Sequence, residues 1–157
     1  MAIPDCSVVP NAEAMRVLGV QVALGCRAGD VVVLSGPLGA GKTTFTQGFA
    51  TGLKVTGPVT SPTFVIARLH RSTSGGPDLV HVDAYRLGGL AELDDLDLGV
   101  SLAESVTVVE WGEGLAESLS TEVVTVRIER DTHDLGLVDP TSDQRQVTVT
   151  WPSDRSG

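Results

Sequence analysis

Apolar positions along the chain change period several times, and each change marks an element. In "AEAMRVLGVQVALGC" they recur at helical spacing, which predicts a helix over residues 12–26 with Asn11 as its N-cap. "RAGD" breaks that helix. "DVVVLSG" is a β-branched run with no polar alternation, the mark of a strand buried on both faces. A glycine-rich stretch follows it, and "TTFTQGFATGL" then returns to the helical period. "TFVIARLH" (63–70) and "LVHVD" (79–83) predict strands, joined through "RSTSGGPD" (71–78), whose turn formers suit an exposed hairpin-like connection.

"LAELDDLDLGV" (90–100) predicts a short helix with an acidic outer face, and "SVTVVEW" (105–111) a third strongly buried strand. "GEGLAESLS" (112–120) predicts another helix. "EVVTVRI" (122–128) and "RQVTVTW" (145–151) alternate like a closing antiparallel pair, with residues 131–144 as the loop between them. Buried strands alternating with helices imply an α/β sandwich of three layers around a mixed, mostly parallel sheet with antiparallel C-terminal strands. At 157 residues, with no repeat and no linker, the chain reads as one domain, and residues 152–157 read as a fraying tail.

Composition narrows the function classes. Net charge is −9 and the isoelectric point near 4.6, so the broad basic face that neutralises nucleic-acid phosphates is missing. Strong direct nucleic-acid binding is not expected. No apolar run reaches membrane-spanning length, and the first residues lack a basic, apolar leader, so a cytoplasmic protein is expected. Cys6 and Cys26 are too few for a disulfide framework and have no metal-ligand spacing.

The glycine-rich stretch carries the chemistry. Gly36-Pro37-Leu38-Gly39-Ala40-Gly41-Lys42-Thr43 satisfies G-x-x-x-x-G-K-[ST], a phosphate loop, between a predicted strand and a predicted helix. From ordinary residue frequencies, a chance match in a chain of this size is about half a percent. The glycines let backbone N–H groups of Gly36, Leu38, Gly39, Ala40 and Gly41 turn inward toward phosphate oxygens, and the following helix adds its positive dipole end. Lys42 suits the β- and γ-phosphates, and the Thr43 hydroxyl suits Mg²⁺. Mg²⁺ also wants a carboxylate from a neighbouring strand end, for which Asp83 and Glu110 are both candidates. One would serve as metal ligand, and the other would orient or deprotonate the attacking nucleophile.

No N-K-x-D guanine-reading motif occurs, so ATP is the expected nucleotide. Helicases and transporter ATPases need a longer chain. A small regulatory ATPase and a small-molecule kinase with Asp83 as general base both remain open, as does a nucleotide-gated adaptor whose hydrolysis is incidental.

Further segments make the reading more specific. "SGPLGAGKTTFTQGFATGL", "VTSPTFVI", "HVDAYRL" with "AELDDLDLGV", and "TVVEWGEGL", in this order and spacing, closely resemble the TsaE (YjeE) family of bacterial ATPases of tRNA threonylcarbamoyladenosine synthesis. The resemblance runs from about residue 10 to residue 150. It implies a P-loop fold with few helices, slow hydrolysis of ATP with Mg²⁺, and action in a complex with the TsaD and TsaB proteins, TsaD carrying out the transfer to tRNA. It places the loop lysine and metal-binding threonine on Lys42 and Thr43, with Thr44 beside them. It places the second metal ligand on Glu110 beside Trp111, and an essential acid on Asp83, followed by Tyr85 and Arg86. Ser61 and Thr63 fall in a switch-like segment, where the Thr63 hydroxyl is suited to sensing a γ-phosphate. Arg86 suits a phosphate or a partner's acid, and Tyr85 and Trp111 suit the site or a partner. Asn11 is a weaker candidate for a place near the adenine. His70 and His81 read as ordinary strand residues, although His81 belongs to the family signature.

Overall fold

The structure is a computed structural model that describes residues 6–36, 41–56, 67–83, 104–110, 123–130 and 144–152. The elements in chain order are β1 (Cys6–Val9), α1 (Ala12–Gly25), β2 (Val31–Ser35), α2 (Lys42–Leu53) and β3 (Ala67–His70). They continue with β4 (Asp78–Asp83), β5 (Ser105–Glu110), β6 (Val123–Arg130) and β7 (Arg145–Thr150). The strands form one seven-stranded sheet in the order β1-β7-β6-β2-β5-β4-β3. Its centre, β6-β2-β5-β4, is parallel; β7 and β3 run antiparallel to their inner neighbours, and β1 runs antiparallel to β7.

The sequence patterns explain these positions. β2 lies between two parallel neighbours and all five of its residues are buried, as an uninterrupted apolar run requires. In β6, Val124, Val126 and Ile128 are buried while Arg127 and Glu129 are exposed, and β7 alternates in the same way. The expected antiparallel closing pair therefore forms, although β6 itself joins the parallel core beside β2. The edge strand β1 was not expected. It has four residues, of which only Val9 is buried, too short a signal to separate from a loop.

α1 starts where Asn11 Oδ1 accepts the Ala14 N–H at 2.9 Å and ends at Cys26. The "RAGD" turn closes on itself: the buried Asp30 carboxylate accepts the Arg27 N–H at 2.7 Å, and the Gly29 N–H reaches Ser105 O at 2.9 Å. α1 and α2 lie side by side and run in the same direction. Met15 lies against Gly41, Arg16 backbone against Gly48, and Val20 with Ala23 against Gly52.

Both helices cover one face of the sheet. Met15, Leu18 and Val22 with Phe45, Phe49 and Leu53 pack on Val32, Leu34, Val106, Val108, Val124, Val126 and Val149. The Phe45 and Phe49 rings, one helical turn apart, sit with centroids 6.1 Å apart. Val31, Val33, Val80, Val82 and Val109, on the opposite face by register, are buried as well, so the centre of the sheet is covered on both sides. The expected helices at 90–100 and 112–120, and the start of the strand placed at 63–70, lie outside the described residues. So do most of the loop at 131–144 and most of the tail.

Candidate nucleotide-binding site

β2 delivers the chain to the glycine-rich stretch and α2 carries it away. Gly41 has φ 114°, a left-handed conformation that side chains disfavour, and a Cβ there would meet Met15 Cε at 3.2 Å. Lys42 follows as the first residue of α2. It is buried, and its Nζ donates to Gly36 O at 2.6 Å, drawing the two ends of the loop together. Thr43 and Thr44 come next, both partly exposed. Leu38, Gly39 and Ala40 lie outside the described residues.

The two helix N-termini point the same way but differ chemically. That of α1 has the Asn11 cap and Glu13 in its first turn. That of α2 has Gly41 in the capping position, with no side-chain cap and no acidic residue in its first turn. The positive end of its dipole, with no side-chain cap or acid to offset it, favours an anion, with Lys42 alongside.

Strand order brings in the acids. β5 is the direct neighbour of β2, and Glu110 stands opposite Leu34, two residues before Gly36. β4 is next, with Asp83 opposite Glu110. At about 4.8 Å per strand, Glu110 sits one spacing and Asp83 two from the strand that feeds the loop. Both acids thus stand at the carboxyl ends of parallel strands, where open α/β sheets bind ligands. Glu110 is only 4% exposed, and His81, fully buried, places Nε2 3.8 Å from Glu110 Oε1. The strand pattern by itself marks His81 as an ordinary strand residue. Its signals in the sequence are an imidazole inside the otherwise apolar "LVHV", two positions before an acid, and its place in the family signature.

The donor set suits Mg²⁺. Thr43 and Glu110 offer hard oxygen ligands, and no group of three or more His, Cys, Asp or Glu gathers to cage a metal among the described residues. Mg²⁺ is typically held in this way, by one or two protein oxygens and the phosphates of a nucleotide. Asn11 lies at the loop end of the molecule, with its Oδ1 engaged in the α1 cap. Ser61, Thr63, Tyr85, Arg86 and Trp111 lie outside the described residues.

The β3–β4 hairpin settles at the other end of α2. Thr73 donates through its N–H and its hydroxyl to Lys54 O, both at 2.8 Å, and the Thr56 N–H reaches Arg71 O at 2.8 Å. Arg71 faces Asp78 at 3.3 Å. This is the one arginine-bearing insertion before Asp83 that a kinase could use as a lid over donor phosphates. It is docked about 18 Å along the helix axis from the loop.

His70 ties down the same region, its Nδ1 3.1 Å from Thr56 O. Its pKa is lowered below 6.5, first by burial, then by the nearby His81 and Arg68, against the raising effect of the bond to Thr56. The neutral ring is therefore favoured on folding. The stability it contributes is present above pH 6.5 and is lost as pH falls through the lower folded value. The melting temperature should drop between pH 7.5 and pH 5.5, and His70→Gln should flatten that drop, as thermal melts at the two pH values will show.

A strand, a glycine-rich turn, a helix with a bare N-terminus and an acid one strand away define a class: this is a P-loop NTPase-like α/β protein. The profile of the family described as "Threonylcarbamoyl adenosine biosynthesis protein TsaE" matches residues 9–145. The chain is 58% identical over 142 residues to "tRNA threonylcarbamoyladenosine biosynthesis protein TsaE" of Streptomyces coelicolor, covering 90% of this chain and 93% of that protein. It is 50% identical to the protein of the same name from Mycobacterium tuberculosis, over 91% of this chain and 84% of the relative. Bacillus subtilis YdiB, in a crystal structure, superposes with a TM-score of 0.71 at 32% identity, covering 96% of this chain and 86% of that one. The chain belongs to the TsaE family. No helix among the described residues is long and apolar enough to cross a membrane.

Proposed function

We propose that this chain is a Mg²⁺-dependent ATP hydrolase. It supports formation of threonylcarbamoyladenosine in tRNA as a single cytoplasmic P-loop domain acting with the TsaD and TsaB proteins. The observation that carries the ATPase reading is the uncapped N-terminus of α2 with Lys42 at its head and Glu110 one strand from β2. The names of the relatives carry the pathway.

In this reading the first-turn amides of α2 and the loop glycines grip the β- and γ-phosphates, and Lys42 turns from Gly36 O to a phosphate oxygen. Thr43 Oγ1 and Glu110 hold Mg²⁺, which when bound neutralises charge on the phosphates. Asp83 orients the attacking water. Thr63, Arg86, Tyr85 and Trp111 answer to the nucleotide state or to a partner, and the acidic surface leaves tRNA to the other subunits.

Glu110→Gln tests it, since the amide keeps shape and removes the charge. The variant should still bind metal-free nucleotide but hydrolyse ATP at least tenfold more slowly, and cells carrying it as their sole copy should lose the modified nucleoside. If it fails to hydrolyse yet restores the modification fully, the protein is a nucleotide-gated adaptor. The kinase alternative requires ADP release to accelerate sharply with a single metabolite acceptor; the docked position of the β3–β4 hairpin argues against it.

A further inference from the structure

His81 is fully buried in the middle of β4, and neither ring nitrogen has a hydrogen-bond partner among the described residues. A buried imidazole without partners is unfavourable, and an aliphatic side chain like those of its neighbours Val80 and Val82 would serve packing alone better. Strand register explains what it is near. His81 stands opposite Val108, so Glu110, two residues further along β5, is its diagonal neighbour. Nε2 lies 3.8 Å from Glu110 Oε1, about 1 Å beyond the length of an imidazole–carboxylate hydrogen bond. Glu110 is itself buried, and a carboxylate there needs a donor to define its orientation.

We propose that His81 is a positioning residue for Glu110. Its ring carries a proton on Nε2 and donates it to one carboxylate oxygen, leaving the other free for the metal of a bound nucleotide. The inference rests on the reading of Glu110 as a Mg²⁺ ligand. Partners that orient metal ligands typically contribute tenfold or more to metal affinity. The arrangement asks only for a donor at the place of Nε2.

Calorimetry of ADP binding, with and without Mg²⁺, tests this on the full chain as wild type, His81→Leu and His81→Gln. The Gln side chain can place an amide N–H close to the Nε2 position, whereas Leu cannot donate. Expected is a Mg²⁺ midpoint raised about tenfold or more in His81→Leu, unchanged affinity for metal-free ADP, and a midpoint returned most of the way in His81→Gln. An unchanged midpoint in His81→Leu overturns the proposal. So does an equal loss with and without Mg²⁺, which would mark a purely structural residue. If His81→Leu does not fold, His81→Gln decides alone: a wild-type midpoint supports the donor role and a raised one overturns it. If the wild type shows no Mg²⁺-dependent ADP binding, the underlying reading of the site fails first, and it is distinguishable because no variant is needed to see it.

Discussion

Lys42→Ala should lower the affinity for Mg·ATP by roughly a hundredfold while leaving the fold intact. Hydrogen bonds to charged groups contribute about 1.5–3 kcal/mol each, and a loop lysine reaching two phosphates loses at least 3 kcal/mol on truncation, about two decades of affinity. The fold has little to lose. Lys42 opens α2, where Ala is a favourable residue, and the change removes an ammonium that burial disfavours, at the expense of its bond to Gly36 O. Lys42→Arg should fail as well, because the planar, larger guanidinium does not fit where a compact point charge does. Calorimetric titration with Mg·ATP and a urea melt separate the two effects. Binding within threefold of wild type would remove Lys42 from the site.

Gly48→Ala should destabilise the protein by about 3 kcal/mol, although alanine favours helices over glycine by about 1 kcal/mol. The clash decides the sign. A Cβ at Gly48 would collide with the Arg16 carbonyl oxygen and come within 2.7 Å of Arg16 C and Cα. These are backbone atoms and cannot rotate away, so α1 must lift from α2 and open the core around Leu18, Phe45 and Phe49. Because Met15 also lies against Gly41, the displacement should weaken nucleotide binding too. Gly76→Ala, on the exposed hairpin with Ser74 Oγ at 3.6 Å as its nearest neighbour, is the control and should stay within about 0.5 kcal/mol. Urea denaturation of both variants measures the difference, and a Gly48→Ala loss under 1 kcal/mol would mean that the helices are not in backbone contact.

Much of this protein was readable from local chemistry. A buried strand, a glycine-rich turn with Lys42 and a helix are each coded within a few consecutive residues, as are the alternation of β6 and the Asn11 cap. The two acids were legible because each ends an apolar run, which places it at a strand tip whatever the strand order. β1 was not legible, since four edge residues with one buried side chain carry almost no period. The significance of His81 was hidden for a different reason: its relation to Glu110 lies across two strands, 29 positions apart in the chain.

Sequence alone thus pointed to most of the described helices and strands, to the glycine-rich segment between β2 and α2 as a candidate phosphate grip, and to the two candidate acids. Tertiary structure decided the sheet order that sets β5 beside β2, and so made Glu110 rather than Asp83 the nearer acid to the loop. It also decided that the β3–β4 hairpin docks at the far end of α2, and that α1 touches α2 through glycine backbones. The division has one physical cause. Hydrophobic period and turn chemistry act between residues close along the chain, whereas strand neighbours, helix contacts and buried polar pairs depend on which surfaces meet once the core closes.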